Sequence, residues 1–81
     1  MRLPRDISGE RLARNLKALG YSITRQTGSH MRLTTTQRGE HHVTIPNHDP
    51  LRVGTLAGII DDVAVHFQIT REELIVRLFK S

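Results

Sequence analysis

The chain has 81 residues, 37% of them hydrophobic and 25% charged, a size that holds one core and excludes a large cofactor domain or a second lobe. It contains no cysteine, which removes disulfides, thiolate metal sites, iron–sulfur clusters and cysteine nucleophiles together. Twelve Lys and Arg against eight Asp and Glu give a net charge of +4, and eight of the cations (Arg2, Arg5, Arg11, Arg14, Lys17, Arg25, Arg32, Arg38) fall in the first 38 residues, where Asp6 and Glu10 are the only acids.

Between Ser8 and Gly20, Leu12, Leu16 and Leu19 recur at helical spacing, with Arg11, Arg14 and Lys17 on the other side. Ser8 is the expected N-cap and Gly20 the left-handed residue that ends the helix. From Tyr21 the period becomes two. Tyr21 and Ile23 alternate with Ser22 and Thr24, which predicts a half-buried first strand over 21–26. Thr27-Gly28 supplies a turn into a second strand over 29–35, where Met31 and Leu33 alternate with His30 and Arg32. Gln37 to Glu40 is the next turn, followed by a third strand in which Val43 and Ile45 alternate with His42 and Thr44.

Pro46 closes that strand, because it has no amide to give to a ladder, and residues 47–53 read as an ordered loop. Gly54-Thr55 opens a helix whose Leu56, Ile59, Ile60, Val63 and Phe67 form its packing face, with Asp61, Asp62 and His66 outward. Thr70-x-x-Glu73 is a capping box for a final short helix with Leu74, Ile75, Leu78 and Phe79 on its apolar edge. The order α-β-β-β-α plus a carboxy-terminal helix predicts an α+β fold, an antiparallel meander with helices on one face and the other face open. If Met31 and Leu33 face the helices, His30, Arg32, His42 and Thr44 stand on the open face.

No apolar run approaches the roughly 20 residues needed to cross a bilayer, and the start lacks the apolar stretch of a secretory signal. A single domain over 1–81, without a membrane segment and cytoplasmic, is the expectation. A positive amino-terminal half either keeps such a domain soluble or forms a phosphate-binding face.

Three groups of residues could carry chemistry. Gly28-Ser29-His30 brings turn amides and a hydroxyl close to an imidazole, which suits a phosphate, although Gly28 could be only a turn residue and His30 only a polar strand position. His41, His42 and His48 invite a metal site, but adjacent strand residues point to opposite faces and no further ligand is evident, so no metal is assigned. His48, after the rigid Pro46, either positions substrate or bonds a loop carbonyl. Asp62 and His66 read as an i,i+4 surface pair without function. Ser29 beside His30 lacks an orienting carboxylate, which argues against a serine hydrolase.

The helix ending in Leu19-Gly20-Tyr21, Arg25-Gln26 leading into Gly28-Ser29-His30, Val43-Thr44-Ile45-Pro46-Asn47-His48, and Gly54-Thr55-Leu56 with Ile59-Ile60 together resemble the HicA family of toxins from about Ser8 to Phe67. The resemblance implies a fold like the double-stranded RNA-binding domain and a translation-blocking ribonuclease that cuts messenger RNA, held inactive by a HicB-type antitoxin. It places the family's essential histidine on His30 and its proline–histidine element on Pro46 and His48. It implies no cofactor. On this reading His30 transfers protons, Gly28, Ser29 and His48 position substrate, and Arg11, Arg14, Lys17, Arg25 and Arg32 steer RNA. The 2′-hydroxyl of RNA is its own nucleophile, so such a cutter needs no metal, while the second proton carrier could be His48, Ser29 or water. A non-catalytic RNA-binding module with the same basic face is the alternative. A small interaction domain with no RNA role is a third.

Overall fold

The fold is that of a computed structural model describing residues 3–79; Arg2, counted above with the basic amino-terminal half, lies outside them, as do Met1, Lys80 and Ser81. Helix α1 spans Gly9–Leu16, and Ser8, in an extended conformation, caps it by accepting the Arg11 amide on its hydroxyl at 3.0 Å. Leu12, Ala13 and Leu16 are buried, while Arg11, Arg14 and Lys17 are exposed as the spacing predicts. A 3₁₀ turn over Lys17–Leu19 then tightens the chain, and Gly20 ends it at φ 81°.

Strands β1 (Ser22–Gln26), β2 (His30–Thr35) and β3 (His41–Pro46) form the predicted antiparallel meander in the order β1-β2-β3. In β2 and β3 the pleat sorts the faces as expected: Met31, Leu33, Val43 and Ile45 are buried, and His30, Arg32, His42 and Thr44 are exposed. β1 departs from the reading of a half-buried strand. Tyr21 is buried but precedes the strand, Ile23 is 42% exposed, and every residue of β1 is exposed. The reason is twofold. β1 is an edge strand, and its pairing slips between Ile23, opposite Leu33, and Arg25, opposite Arg32, a bulge that breaks the alternation.

Helix α2 spans Val53–Phe67, beginning one residue before Gly54, and buries Leu56, Ile59, Ile60, Val63 and Phe67, packing on β3 of the sheet and on the carboxy-terminal helix. α1 and α2 cover the same face. The capping box forms at α3 (Arg71–Phe79): the Glu73 amide donates to Thr70 Oγ1 at 3.0 Å and the Thr70 amide to Glu73 Oε1 at 3.1 Å. Leu74, Ile75 and Leu78 are buried where α3 packs on α2 and touches α1. The result is an α+β fold with an open three-stranded sheet, in the arrangement of a double-stranded RNA-binding domain.

α1 meets the end of β3 through Gly9. Its amide donates to the His48 carbonyl at 2.9 Å, and a Cβ built there would collide with the Pro46 carbonyl oxygen. The absence of a side chain at Gly9 therefore sets how closely the helix start approaches residues 46–48.

Candidate nucleic-acid interface

The turn into β2 is built by Thr27. Its hydroxyl accepts the amides of Ser29 at 3.3 Å and His30 at 3.1 Å, and its own amide donates to the His30 carbonyl at 2.9 Å. Two of the turn amides that a phosphate could use are thus already engaged. Gly28 is left differently from the expectation of a glycine demanded by the turn: it is not at positive φ, and a Cβ there would meet no atom within 4 Å. The space over Gly28 is open. Beside it, Ser29 Oγ and His30 Nδ1 lie 2.9 Å apart, and His30 is exposed.

Register fixes the neighbours of His30. Cross-strand partners share a face, so Pro46 stands opposite His30, and Arg32 lies between Arg25 and Thr44. The Asn47 amide donates to the Ser29 carbonyl at 2.8 Å, which ties the segment carrying His48 to the turn carrying Ser29. Arg25, Ser29, His30, Arg32 and the Pro46–His48 segment therefore form one end and centre of the open face. At the other end Thr24, Thr34, His42 and Glu40 form a hydrogen-bonded row, with contacts of 2.9, 2.7 and 2.8 Å in that order. Among the described residues no carboxylate pairs with Arg25, His30 or Arg32.

Two of the expected steering cations, Arg14 and Lys17, are not on this face. Arg14 and Lys17 line an open groove with Ile23, Gln26 and Met31 between α1 and the edge strand, on the helix side of the sheet, and Arg11 is exposed near the start of the helix. β1 divides the two basic surfaces. The His48 side chain is exposed, and it is the His48 backbone carbonyl that makes the structural bond, to Gly9.

His41 and His42 point to opposite faces, as the pleat requires. His41 belongs to a cluster that the sequence reading did not assemble. Its Nδ1 lies 2.6 Å from the Tyr21 hydroxyl and its Nε2 3.2 Å from Asp62 Oδ1, and its ring stacks on His66 at 4.4 Å. The expected Asp62–His66 pair does not form; Asp62 reaches across to β3, and His66, half-buried rather than outward, has Nε2 2.9 Å from the Gln37 carbonyl oxygen. Burial first and the nearby Asp62 second push the Tyr21 phenol well above its ordinary pKa; the Asp62 carboxylate can only accept, so His41 Nε2–H donates to it, while the Tyr21 hydroxyl pairs with Nδ1. This cluster fastens β3 to α2. The signal was present, since His41 shares the period-two face of Val43 and Ile45.

No group of three or more His, Cys, Asp or Glu side chains among the described residues is placed to hold a metal ion, and no described helix is long and apolar enough to cross a membrane. Comparison with known proteins matches residues 9–65 to the family described as HicA toxin of bacterial toxin-antitoxin. Neither the curated proteins nor the solved structures contain a match to the chain.

Proposed function

This chain belongs to the HicA toxin family, whose pattern matches well over half of it, and on that premise we propose that it is an endoribonuclease toxin that cuts messenger RNA, with His30 as the proton-transferring residue. The observation that carries the reading is the exposed His30 whose Nδ1 is held by Ser29 Oγ at 2.9 Å, on a face where Arg25 and Arg32 have no carboxylate partner. A hydroxyl can donate or accept, so Ser29 supports either imidazole tautomer. With Nδ1–H donated to Ser29 Oγ, Nε2 of the neutral ring is a base, and the imidazolium formed when Nε2 takes up a proton is an acid that keeps the same Nδ1–H bond to Ser29. The ring is held in one place through both states.

In the proposed reaction, neutral His30 Nε2 removes the 2′-hydroxyl proton, the 2′-oxygen bonds to the adjacent phosphorus, and the bond to the 5′-oxygen breaks. A 2′,3′-cyclic phosphate and a 5′-hydroxyl remain, with the leaving oxygen taking a proton from an acid that His48→Ala and Ser29→Ala identify. Arg25 and Arg32 stabilise the negative charge on the phosphorane, which a fixed cation near a developing charge does better than water. Gly28 gives the phosphate room. Arg14 and Lys17, on the far side of β1, act by long-range attraction and not by contact at the scissile bond, and the exposed Arg11 adds to the same attraction.

A toxin of this kind needs restraint, and the same surface suits a HicB-type antitoxin whose acidic side chains stand in for RNA phosphates over His30 and Arg32. The test is to incubate purified protein with messenger RNA in chelator beside His30→Ala. Cleavage by the parent and none by a folded variant supports the enzyme. Salt-sensitive binding without cleavage by either protein would leave an RNA-binding module.

A further inference from the structure

One pocket of the described residues lies away from His30. It has a volume of about 600 Å³ and is floored by Leu51 and Leu56 and rimmed by Arg5, Arg52, Arg71 and Asp6. We propose that this pocket is a second, non-catalytic subsite that seats one nucleotide of the single-stranded RNA whose scissile phosphate lies at His30; the inference rests on the ribonuclease reading above and names where the strand goes next.

Its charge is the first argument. Arg71 is already committed, donating from Nε and Nη2 to the two carboxylate oxygens of Asp61 at 2.8 and 2.7 Å. Arg5 and Arg52 make no ion pair among the described residues. Two guanidinium groups without an ion-pair partner line one pocket whose only lining acid is Asp6, which leaves it net positive, and a guanidinium presents the planar fork that matches phosphate.

Its floor is the second. Leu51 and Leu56 are themselves buried, but the exposed Pro50 and Val53 also line the pocket; a bare phosphate leaves these two uncovered, whereas a base packs on them, and the volume falls in the range of roughly 300–1,000 Å³ typical of small-molecule sites. Continuity is the third. Pro46 is the cross-strand partner of His30, and the chain runs from it to Pro50 at the pocket in four residues and to Arg52 in six, pinned by Gly9 N to His48 O at 2.9 Å and Leu51 N to Ile7 O at 2.8 Å. Six residues reach at most about 22 Å. Ten nucleotides at a stacked spacing of about 3.4 Å each cover the whole of that upper limit, whereas three cover about 10 Å of it.

The experiment uses 2′-O-methyl oligoribonucleotides, which offer no nucleophile and so report binding whether or not the chain is a nuclease. Fluorescence anisotropy of a labelled 10-mer and 3-mer is followed against salt for the parent, Arg52→Gln and Arg5→Gln, with thermal unfolding confirming that these exposed substitutions leave the fold intact. Each variant should bind the 10-mer about tenfold more weakly, with a salt slope lower by about 0.7 per lost contact, and bind the 3-mer like the parent. Unchanged 10-mer binding overturns the subsite, and equal weakening of both oligomers reduces it to general attraction. Adenosine monophosphate binding the parent as tightly as the 10-mer does would assign the pocket to a free nucleotide. A polyglutamate peptide that outcompetes the 10-mer at Arg52 would assign it to an acidic protein. Loss of RNA cleavage chemistry in the parent would sink the ribonuclease reading while leaving these binding outcomes to judge the pocket.

Discussion

Replacing Gly9 by alanine sets two effects of opposite sign against each other. Helix propensity favours alanine over glycine by about 0.5–1 kcal/mol in a helix interior. Geometry opposes it. A Cβ at Gly9 would overlap the Pro46 carbonyl oxygen and lie 3.2 Å from the Pro46 carbonyl carbon and 3.3 Å from Ile45 Cγ2, and those atoms belong to the last pairs of the β2–β3 ladder. Backbone cannot yield as a flexible side-chain end does, so the helix start must move away, weakening the bond from Gly9 N to His48 O. Overpacking costs about 1–3 kcal/mol and loss of a hydrogen bond about 0.5–1.5 kcal/mol, which against the propensity gain leaves Gly9→Ala less stable by about 0.5–4 kcal/mol, the middle of that range being about 2 kcal/mol. For a domain of this size that is a fall in Tm of roughly 5–20 °C. Chemical denaturation monitored by circular dichroism reads the sign directly. A variant as stable as the parent, or more so, would refute the packing of α1 on residues 45–48, and with it the placement of His48 beside the Ser29 turn.

Tyr21→Phe keeps the ring packed on Phe67 but strands Nδ1 of His41, at a cost of about 1–3 kcal/mol in denaturant unfolding; no loss would remove the hydroxyl–imidazole bond from the account. Gly28→Ala should leave unfolding within about 0.5 kcal/mol of the parent and lower kcat/KM for RNA, because the new methyl group occupies the space left for a phosphate. Unchanged cleavage would place the phosphate elsewhere. The Thr70 backbone and side-chain hydrogen bonds hold the Glu73 carboxyl below its ordinary pKa. A depressed folded-state pKa means that this stabilisation is present above the unfolded value and is lost as pH falls through the folded one. Protection factors of the α3 amides, corrected for the intrinsic slowing of exchange in acid, should therefore fall on acidification in the parent and be independent of that titration in Glu73→Gln.

Legibility in the sequence followed the locality of the cause. β2 and β3 were readable because one face of each meets the helices and the other meets water, so the pleat alone assigns His30 and Arg32 outward and Met31 and Leu33 inward. β1 was not, since an edge position and a one-residue slip after Ile23 are properties of its pairing and leave no mark in its own five residues. Ser8, Gly20 and the Thr70–Glu73 box act within one helical turn and were read correctly. Gly9 acts through the carbonyl of Pro46, 37 positions away, and the Arg5–Arg52 pocket joins two loops remote in sequence. Two of the steering cations, Arg14 and Lys17, carried the right charge but not the right side: a helical wheel shows that they face away from Leu12 and Leu16, not that β1 separates them from His30.

The most direct test of the central claim is the chemistry of the cut ends. A synthetic RNA that the protein cleaves is remade with a 2′-O-methyl group at the nucleotide preceding the cut, and the products of both substrates in chelator are weighed by mass spectrometry. Attack by the 2′-oxygen, with His30 removing its proton, predicts a 2′,3′-cyclic phosphate and a 5′-hydroxyl from the unmodified RNA and no cut at the modified nucleotide. A cut at the methylated position, leaving a 5′-phosphate, would contradict the account, because water and not the RNA would then be the nucleophile.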